Sequence, residues 1–353
     1  MKKLTLFALT LLLLQLLAAA PALAAWNADW TQRVKITLNT AADGLPLSAG
    51  ADAVPLLVRL HSGNFQFLDA KPDGSDLRFV AADDKTPLKF HIEKYDGVNE
   101  LAFVWVLVPR VNPGAKADLI WLYYGNPKAP PASEPKGSYD AAQALVYHFG
   151  ENEATPQDAT ANANHATRMS AKPATAGLIG AGAAFDGKAE LAFAITPSLR
   201  AGPGGLTVSM WIKPAALGDA VLFRQAEGRD SLALLVRGDK LVAQSGALAT
   251  APAGTLAVGA WQHVALAVKD GLVLYLNGVE IARASGATGR TGNAPTADHT
   301  AAVNPPPIPR PAPRNSRTRA SGSSAHSVKS IPSIAAAGFS SSAGDTAIQV
   351  THP

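Results

Sequence analysis

Oxygen-bearing side chains cluster in one polar segment of the chain. Asp158, Asn162 and Asn164 follow Glu151 and Glu153. Carboxylate and amide oxygens are the ligands that calcium prefers, and the ion takes about six to eight of them, so three side chains would form only part of a site. Asp and Asn also bond their own backbone in polar turns. The segment therefore predicts either a partial calcium site at Asp158, Asn162 and Asn164 or a self-bonded turn.

The acids Glu151 and Glu153 are also a candidate pair for glycoside hydrolysis, which needs two carboxyl groups across one sugar bond. Residues two apart share a face only in a strand, and Gly150 favours a loop here. The chain has no Glu-x-Asp-x-x-Glu run of the kind found in jelly-roll glycanases. We therefore interpret the two acids as solvated loop residues.

Other catalytic patterns are absent from the sequence. His91, His148, His165 and His263 show no His-x-His or His-x-x-x-His spacing, and a catalytic metal needs three converging ligands. There is no Gly-x-Ser-x-Gly elbow around a serine and no complete phosphate-binding Gly-x-x-x-x-Gly-Lys-Ser/Thr loop, because Ala189 follows the run Gly182–Lys188. We predict that the protein is not an enzyme and assign no catalytic residue.

Tryptophans are the remaining candidates for ligand contact, because large rings can stack on sugars. Most of them lie in apolar strand-like runs, where core burial is the usual role of a large ring. Trp26 and Trp30 lie outside such runs, near the start of the mature chain. They are the predicted ligand-binding residues.

Charge and composition exclude several classes of protein. The chain has 353 residues, no cysteine and a net charge of +4. Residues 25–285 carry 23 basic and 25 acidic side chains, so the positive charge belongs to the two ends. A nucleic-acid-binding face would need clustered basic residues, so we expect no nucleic-acid partner. Without cysteine, disulfides and thiol chemistry are excluded.

The N-terminus has the pattern of an export signal. Lys2 and Lys3 precede an apolar run, and Ala22-Leu23-Ala24 supplies the small residues of a cleavage site. We predict that residues 1–24 are removed and that the product is periplasmic or secreted. No later segment is long and apolar enough to predict a membrane span.

The rest of the chain divides by composition. Residues 25–128 contain alternating strand-like runs separated by turn formers, which predicts a β-sandwich. A Pro-rich stretch at 129–143 predicts a stiff linker, and a second β segment occupies 144–285. Residues 286–353 contain nine of the 26 prolines and neither Trp nor Tyr. We therefore predict a disordered tail that is basic and dispensable.

The second segment resembles the laminin-G-like, concanavalin-type jelly rolls. The resemblance lies in six stretches taken in order: Leu145–Phe149, Asp158–Thr167, Gly180–Gly187, Leu206–Pro214, Trp261–Ala265 and Leu274–Val279. It implies an antiparallel sandwich, and jelly rolls of this kind often hold calcium in the loop that contains Asp158. The family's usual closing strand, Gly-x-Ile-Asp-Glu-Val-like, is missing where the tail begins. We therefore expect an incomplete jelly roll.

The first segment resembles an exported β domain of unknown function that often precedes such a jelly roll. The resembling stretches are Trp30–Arg33, Gly74–Phe79, Pro87–Glu93, Val104–Val106 and Tyr123–Asn126. This pair of domains is similar to the extracytoplasmic part of MotA/TolQ/ExbB-type proton-channel proteins, in which membrane helices follow the jelly roll. The chain ends before any such helix.

The sequence thus predicts an all-β protein made of a β-sandwich, an incomplete concanavalin-like jelly roll and a disordered tail. The function that the resemblance implies is a non-enzymatic module for ligand binding, sensing or assembly in an envelope proton-channel (biopolymer transport) system. The alternative is a secreted carbohydrate-binding module or carbohydrate-active enzyme. The expected partners are envelope proteins or a glycan, and the one cofactor considered is calcium.

Overall fold

The structure, a computed structural model, is almost entirely β. It describes residues 26–44, 46–47, 49–151, 155–174, 177–201, 204–227, 230–288, 300–304 and 348–351. Short 3-10 helices at Phe67–Asp69, Pro135–Gly137 and Pro197–Leu199 are the helical elements of this part of the chain. None of its helices is long and apolar enough to cross a membrane. The predicted all-β fold is confirmed.

The first domain is a sandwich of two antiparallel sheets. One sheet has the order β1-β7-β3-β4 and the other the order β2-β6-β5. The strands are β1 (Gln32–Leu38), β2 (Ala51–His61), β3 (Arg78–Val80), β4 (Pro87–Leu88), β5 (Phe90–Asp96), β6 (Leu101–Val111) and β7 (Asp118–Tyr124).

One face of each strand supplies the core of this sandwich. Successive strand residues point to opposite faces, so Ile120, Leu122 and Tyr124 of β7 turn inward together. Ala102 and Val104 of β6 meet them from the other sheet. The opposite face of both sheets therefore remains available for other contacts, and it carries both sites described below.

The second domain is a larger sandwich. Its two main sheets have the orders β17-β16-β15-β14-β21-β12-β9 and β20-β19-β18-β13-β22-β8, and β10 pairs with β11. The strands are β8 (Gln143–Tyr147), β9 (Ala166–Met169), β10 (Lys172–Ala174), β11 (Gly182–Ala184), β12 (Leu191–Ala194), β13 (Leu206–Ile212), β14 (Ala220–Glu227), β15 (Asp230–Arg237), β16 (Lys240–Ser245), β17 (Leu248–Ala249), β18 (Gln262–Val268), β19 (Gly271–Leu276), β20 (Val279–Ser285), β21 (Thr300–Asn304) and β22 (Ile348–Thr351).

The C-terminal tail contributes two strands that the sequence did not predict. β21 (Thr300–Asn304) pairs antiparallel with β12 on one side and β14 on the other. β22 (Ile348–Thr351) pairs in the same way with β13 and β8. The sequence predicts no strand in residues 286–353, and the structure describes these two short segments as strands. The rest of the predicted disorder falls almost entirely outside the described residues.

Strand formation in β21 and β22 depends on their neighbouring strands and not on local composition. A segment of four or five residues gains little by itself, but flanked on both sides its backbone N–H and C=O groups join two ladders. Both segments fill central positions, so the sheets would be split without them. The proline run at 305–313 lies outside them.

We predict that a proline in β22 separates the sheet at its centre. Val350 is paired in register with Val208 of β13 on one side and with Leu145 of β8 on the other. Val350→Pro removes an N–H that a central strand uses, and we expect a loss of about 3 kcal/mol in the unfolding free energy of the second sandwich. Val350→Thr keeps the N–H and the β-branched shape and is the control. Equal denaturant midpoints for the two variants would show that β22 does not stabilise this sheet.

Candidate functional site

The first candidate site is an aromatic platform on the outer face of the sheet β1-β7-β3-β4. We use this name for Trp26, Trp30, Trp121 and Tyr123. Because alternate residues of β7 fill the core, Trp121 and Tyr123 point to the outer face. Tyr123 is completely buried there, whereas the three indoles are partly exposed.

The segment before β1 places two indoles over this face. The rings of Trp26 and Trp30 are 5.1 Å apart at 58°, and Trp26 lies 5.6 Å from the ring of Tyr123. The Trp26 backbone N–H donates to Tyr123 Oη at 3.1 Å, and Trp30 Nε1 donates to the Asp76 carbonyl at 2.7 Å. The structure thus brings together the two predicted ligand-binding residues and holds both in fixed positions.

Two arginines flank the platform. The Arg33 guanidinium carbon lies 3.9 Å from the centre of the Trp121 ring, and that of Arg78 lies 5.2 Å from the centre of the Trp30 ring. Arg33 Nη1 is also 2.6 Å from Asp84 Oδ2. A hydrogen bond to Tyr123 is the main cause that raises the pKa of Arg33, whereas burial lowers that of Arg78. The platform therefore offers apolar ring faces bordered by charged groups, a combination suited to polar ligands with apolar faces.

The predicted calcium loop folds as a self-bonded turn. Asp158 Oδ1 accepts the N–H groups of Val146 and Thr160 at 3.0 and 2.9 Å. Its Oδ2 accepts the Thr160 hydroxyl at 2.8 Å and the Asn164 N–H at 2.9 Å. Four bonds use the lone pairs of both oxygens, so the buried carboxylate has none to offer a cation.

The two asparagines of this loop bond to the chain as well. Asn162 Nδ2 donates to the Gln143 carbonyl at 3.1 Å, and Asn164 Nδ2 donates to the Ala144 carbonyl at 2.7 Å. Across the described residues, no group of three or more His, Asp or Glu side chains is arranged to hold a metal ion. The Asp158 oxygens of this loop are occupied by hydrogen bonds and do not fit calcium as folded. Calcium binding stays a prediction.

The candidate acid pair is only half described. Glu151 Oε1 accepts the Gln157 N–H at 2.8 Å, which ties this side chain to its own loop. Glu153 lies outside the described residues.

A second candidate site, which the sequence did not predict, lies where the two sandwiches meet. We call it the interdomain cluster: His91 and Glu93 on β5, Trp105 on β6, Tyr139 in the linker and His148 after β8. His91 Nε2 lies 3.3 Å from His148 Nε2, and Tyr139 Oη lies 2.9 Å from the same atom of His148. No ligand-type spacing in the sequence indicates this contact between His91 and His148.

The interdomain cluster is buried and polar. His148 Nδ1 lies 3.1 Å from Glu93 Oε2, and Trp105 Nε1 donates to the same oxygen at 2.5 Å. Burial lowers the pKa of His91 well below its usual value, with the charge of His148 as a second cause. Burial also raises the pKa of Tyr139 well above its usual value, and Glu93 adds to this. Without a further partner, the neutral forms of His91 and Tyr139 are therefore strongly favoured.

The comparisons with known proteins divide the chain in a related way. Residues 73–164 match the family model described as "Domain of unknown function (DUF2341)", a range that contains the whole interdomain cluster. Residues 185–305 match the model described as "Concanavalin A-like lectin/glucanases superfamily". The second sandwich is a concanavalin A-like domain. This match extends through β21, the strand that the sequence prediction missed. A search of curated proteins found no match.

Solved structures with similar regions include sugar-binding and toxin domains. Domain 4 of AbnA, a GH43 extracellular arabinanase from Geobacillus stearothermophilus, in complex with arabinotriose, is 16% identical, with 60% of this chain and 92% of that chain covered and a TM-score of 0.38. The binding domain of Paraclostridial Mosquitocidal Protein 1 is 11% identical, with 46% of this chain and 48% of that chain covered and a TM-score of 0.35. The binding domain of botulinum neurotoxin serotype C1 is 10% identical, with 60% of this chain and 47% of that chain covered and a TM-score of 0.32. The chain spans about half the length of these two toxin domains.

We predict that Asp158 stabilises the second sandwich without a metal. Asp158→Ala removes the acceptor of three backbone N–H groups and one hydroxyl, two of them from Thr160. Bonds to a buried carboxylate contribute about 1.5–3 kcal/mol each, so we expect a total loss of about 3–5 kcal/mol after partial relaxation. Thermal melts of the wild type with added calcium and with EGTA should coincide. A melting temperature that falls with EGTA and recovers with calcium would instead support the calcium prediction.

We also predict acid sensitivity from His263, which packs against Trp211 at 5.2 Å on the outer face of β18. Burial lowers the pKa of His263 to about 4. Because the usual value is about 6.5, the unfolded chain binds the proton more readily. The stabilisation is complete above about pH 6.5 and is lost as the pH falls toward 4, with a slope of up to about 1.4 kcal/mol per pH unit. Denaturant titrations at several pH values should give a shallower slope for His263→Gln. Parallel slopes would contradict the prediction.

Proposed function

We propose that this chain is an exported carbohydrate-binding protein without catalytic activity, and that the aromatic platform contacts the glycan. The observation that carries the proposal is the pair Trp26–Trp30, partly exposed on a sheet face. Hydrogen bonds to Tyr123 and Asp76 hold this segment in place. The description of the superfamily that residues 185–305 match, which includes lectins and glucanases, supports the class of ligand.

A fixed pair of rings suits a sugar for physical reasons. The face of an indole is negatively polarised, and the C–H groups on one face of a pyranose or furanose ring can lie against it. Because both indoles are already ordered, little conformational entropy is lost when a ligand stacks on them. Asp84 and the two arginines lie beside the rings and supply groups for the sugar hydroxyls.

We predict that the platform indoles dominate the affinity. The untagged full chain is titrated calorimetrically with soluble β-glucan, xylan, arabinan and muropeptides. For the glycan that binds, Trp26→Ala and Trp30→Ala should each weaken binding about tenfold or more, corresponding to at least about 1.4 kcal/mol. Trp211→Ala, a partly exposed indole in the second sandwich, is the matched control and should bind like the wild type.

Other outcomes separate the alternatives. Loss of binding in Trp211→Ala with retention in the platform variants would move the site to the second sandwich. New reducing ends after incubation with any of these glycans would support the carbohydrate-active enzyme. Failure of the folded protein to bind any of them would overturn the proposal for this set of glycans. N-terminal sequencing of the exported product tests the predicted cleavage before Ala25.

A second proposal keeps the chain in an envelope proton-channel system as a sensing or assembly module. The order of the two matched regions, 73–164 and then 185–305, supports it because the channel-associated proteins that the sequence resembles have this order. Crosslinking in the host envelope should then capture a TolQ- or ExbB-type membrane protein. Recovery of glycan alone would favour the first proposal.

A further inference from the structure

We propose that the interdomain cluster binds one divalent transition-metal ion through His91 Nε2, His148 Nε2 and Tyr139 Oη. The three ligands come from β5 of the first sandwich, from the linker and from the end of β8 in the second sandwich. The ion would therefore connect both domains and the segment between them. This site is independent of the carbohydrate-binding proposal.

The spacing of the two Nε2 atoms matches a shared ion. Two ligands that are each about 2.05 Å from a tetrahedral zinc ion lie ~3.3 Å apart. The two Nε2 atoms are 3.3 Å apart, and Tyr139 Oη is 2.9 Å from His148 Nε2. The two imidazole centres are only 5.1 Å apart, closer than a straight N–H···N bond of this length would place them. The two rings are therefore not aligned end to end along the line that joins their Nε2 atoms.

The proton count also leaves room for an ion. An imidazole Nε2 can either accept one hydrogen bond through its lone pair or donate one N–H. His148 Nε2, however, has two partners, His91 and Tyr139, within hydrogen-bond distance. His91 Nδ1 is buried and has no hydrogen-bond partner in the described part of the chain. A cation near His148 Nε2 would replace these two contacts and lie within reach of both His91 Nε2 and Tyr139 Oη.

The surroundings resemble the outer shell of a metal site. A histidine that ligates a metal commonly contacts a carboxylate through its other ring nitrogen. His148 Nδ1 lies 3.1 Å from Glu93 Oε2, an ion-pair distance without hydrogen-bond alignment, and the Glu93 side chain is only 4% exposed. Trp105 Nε1 fixes this oxygen from β6. Gly180 of the second sandwich closes the other side, because a Cβ there would lie 3.0 Å from Glu93 Oε1.

Charge balance favours a divalent ion. Binding would release the Tyr139 phenol proton to solvent, leaving a phenolate bonded to the metal, and the nearby ion would reverse the effect of burial on this group. The phenolate and the Glu93 carboxylate together neutralise a charge of two, which makes the buried assembly neutral. Two imidazoles and one phenolate oxygen suit zinc or copper, and copper should bind more tightly.

Calorimetric titration of the EDTA-treated, untagged full chain with ZnCl₂ at about pH 7.5 tests the proposal, because the ligands must lose protons. We expect one equivalent to bind and the melting temperature to rise. Tyr139→Phe, which removes only the ligating oxygen, and His91→Gln should each weaken binding more than tenfold. Glu93→Gln should weaken it about 10–100-fold. His263→Gln, which changes a partly buried histidine elsewhere, is the control and should bind zinc like the wild type.

Copper provides a signature that a purely structural role of Tyr139 would not produce. A visible tyrosinate-to-copper charge-transfer band should form with the wild type and be absent from Tyr139→Phe. If Tyr139→Phe does not fold, the zinc stoichiometry of the wild type and the effect of Glu93→Gln decide. The proposal is overturned if the folded wild type binds no zinc with a Kd below about 10 µM. It is equally overturned if its affinity is unchanged in both His91→Gln and Glu93→Gln.

Discussion

Strand β8 belongs to two environments at once, and the arrangement of the two domains depends on it. Its alternation places Leu145 and Tyr147 in the core of the second sandwich. Val146, on the opposite face, packs with Tyr139 of the linker and Ala159. His148, which follows on the same side, contacts Glu93 of the first sandwich. A shift of β8 by one residue would exchange these faces and lose both the core contacts and the interdomain contacts.

Buried carboxylates organise the loops of both domains by the same physical means. Asp76 is fully buried and accepts backbone N–H groups from Lys71, Gly125 and Asn126 at 2.9, 2.7 and 3.2 Å. Asp158 does the same for the loop after β8. A buried charge is tolerated only when its lone pairs are used, and here backbone donors use them. Motif residues that look like ligands in the sequence therefore serve as loop anchors.

Local patterns predicted much of the fold because they depend on neighbouring residues. The alternation at β5 and the apolar runs of β6 and β7 are typical of strands, and β6 and β7 each have a neighbouring strand on both sides. Asn277 and Gly278, with φ of 52° and 78°, form the turn between β19 and β20 that their types favour. The strands β21 and β22 could not be predicted in this way, since their partners lie far away in the sequence.

The same distinction explains what the sequence revealed of the sites. Trp26 and Trp30 stood out because they lie outside any apolar run, and the structure does place them on a surface. The interdomain cluster gave no such signal. His91 and Glu93 are two apart on β5 and so share a face, but His148 is 57 residues away from His91. Their contact depends on how the domains pack, and no local spacing encodes that packing.

The linker lies between the two candidate sites and is bonded to the first sandwich. The Ile92 N–H donates to Ser133 Oγ at 2.9 Å, and the Glu134 N–H donates to the Phe90 carbonyl at 2.8 Å, so the linker extends the edge of β5. Arg78 donates to the Pro130 carbonyl at 2.5 Å while its guanidinium group lies over Trp30. One side chain thus contacts both the platform and the segment that leads to Tyr139.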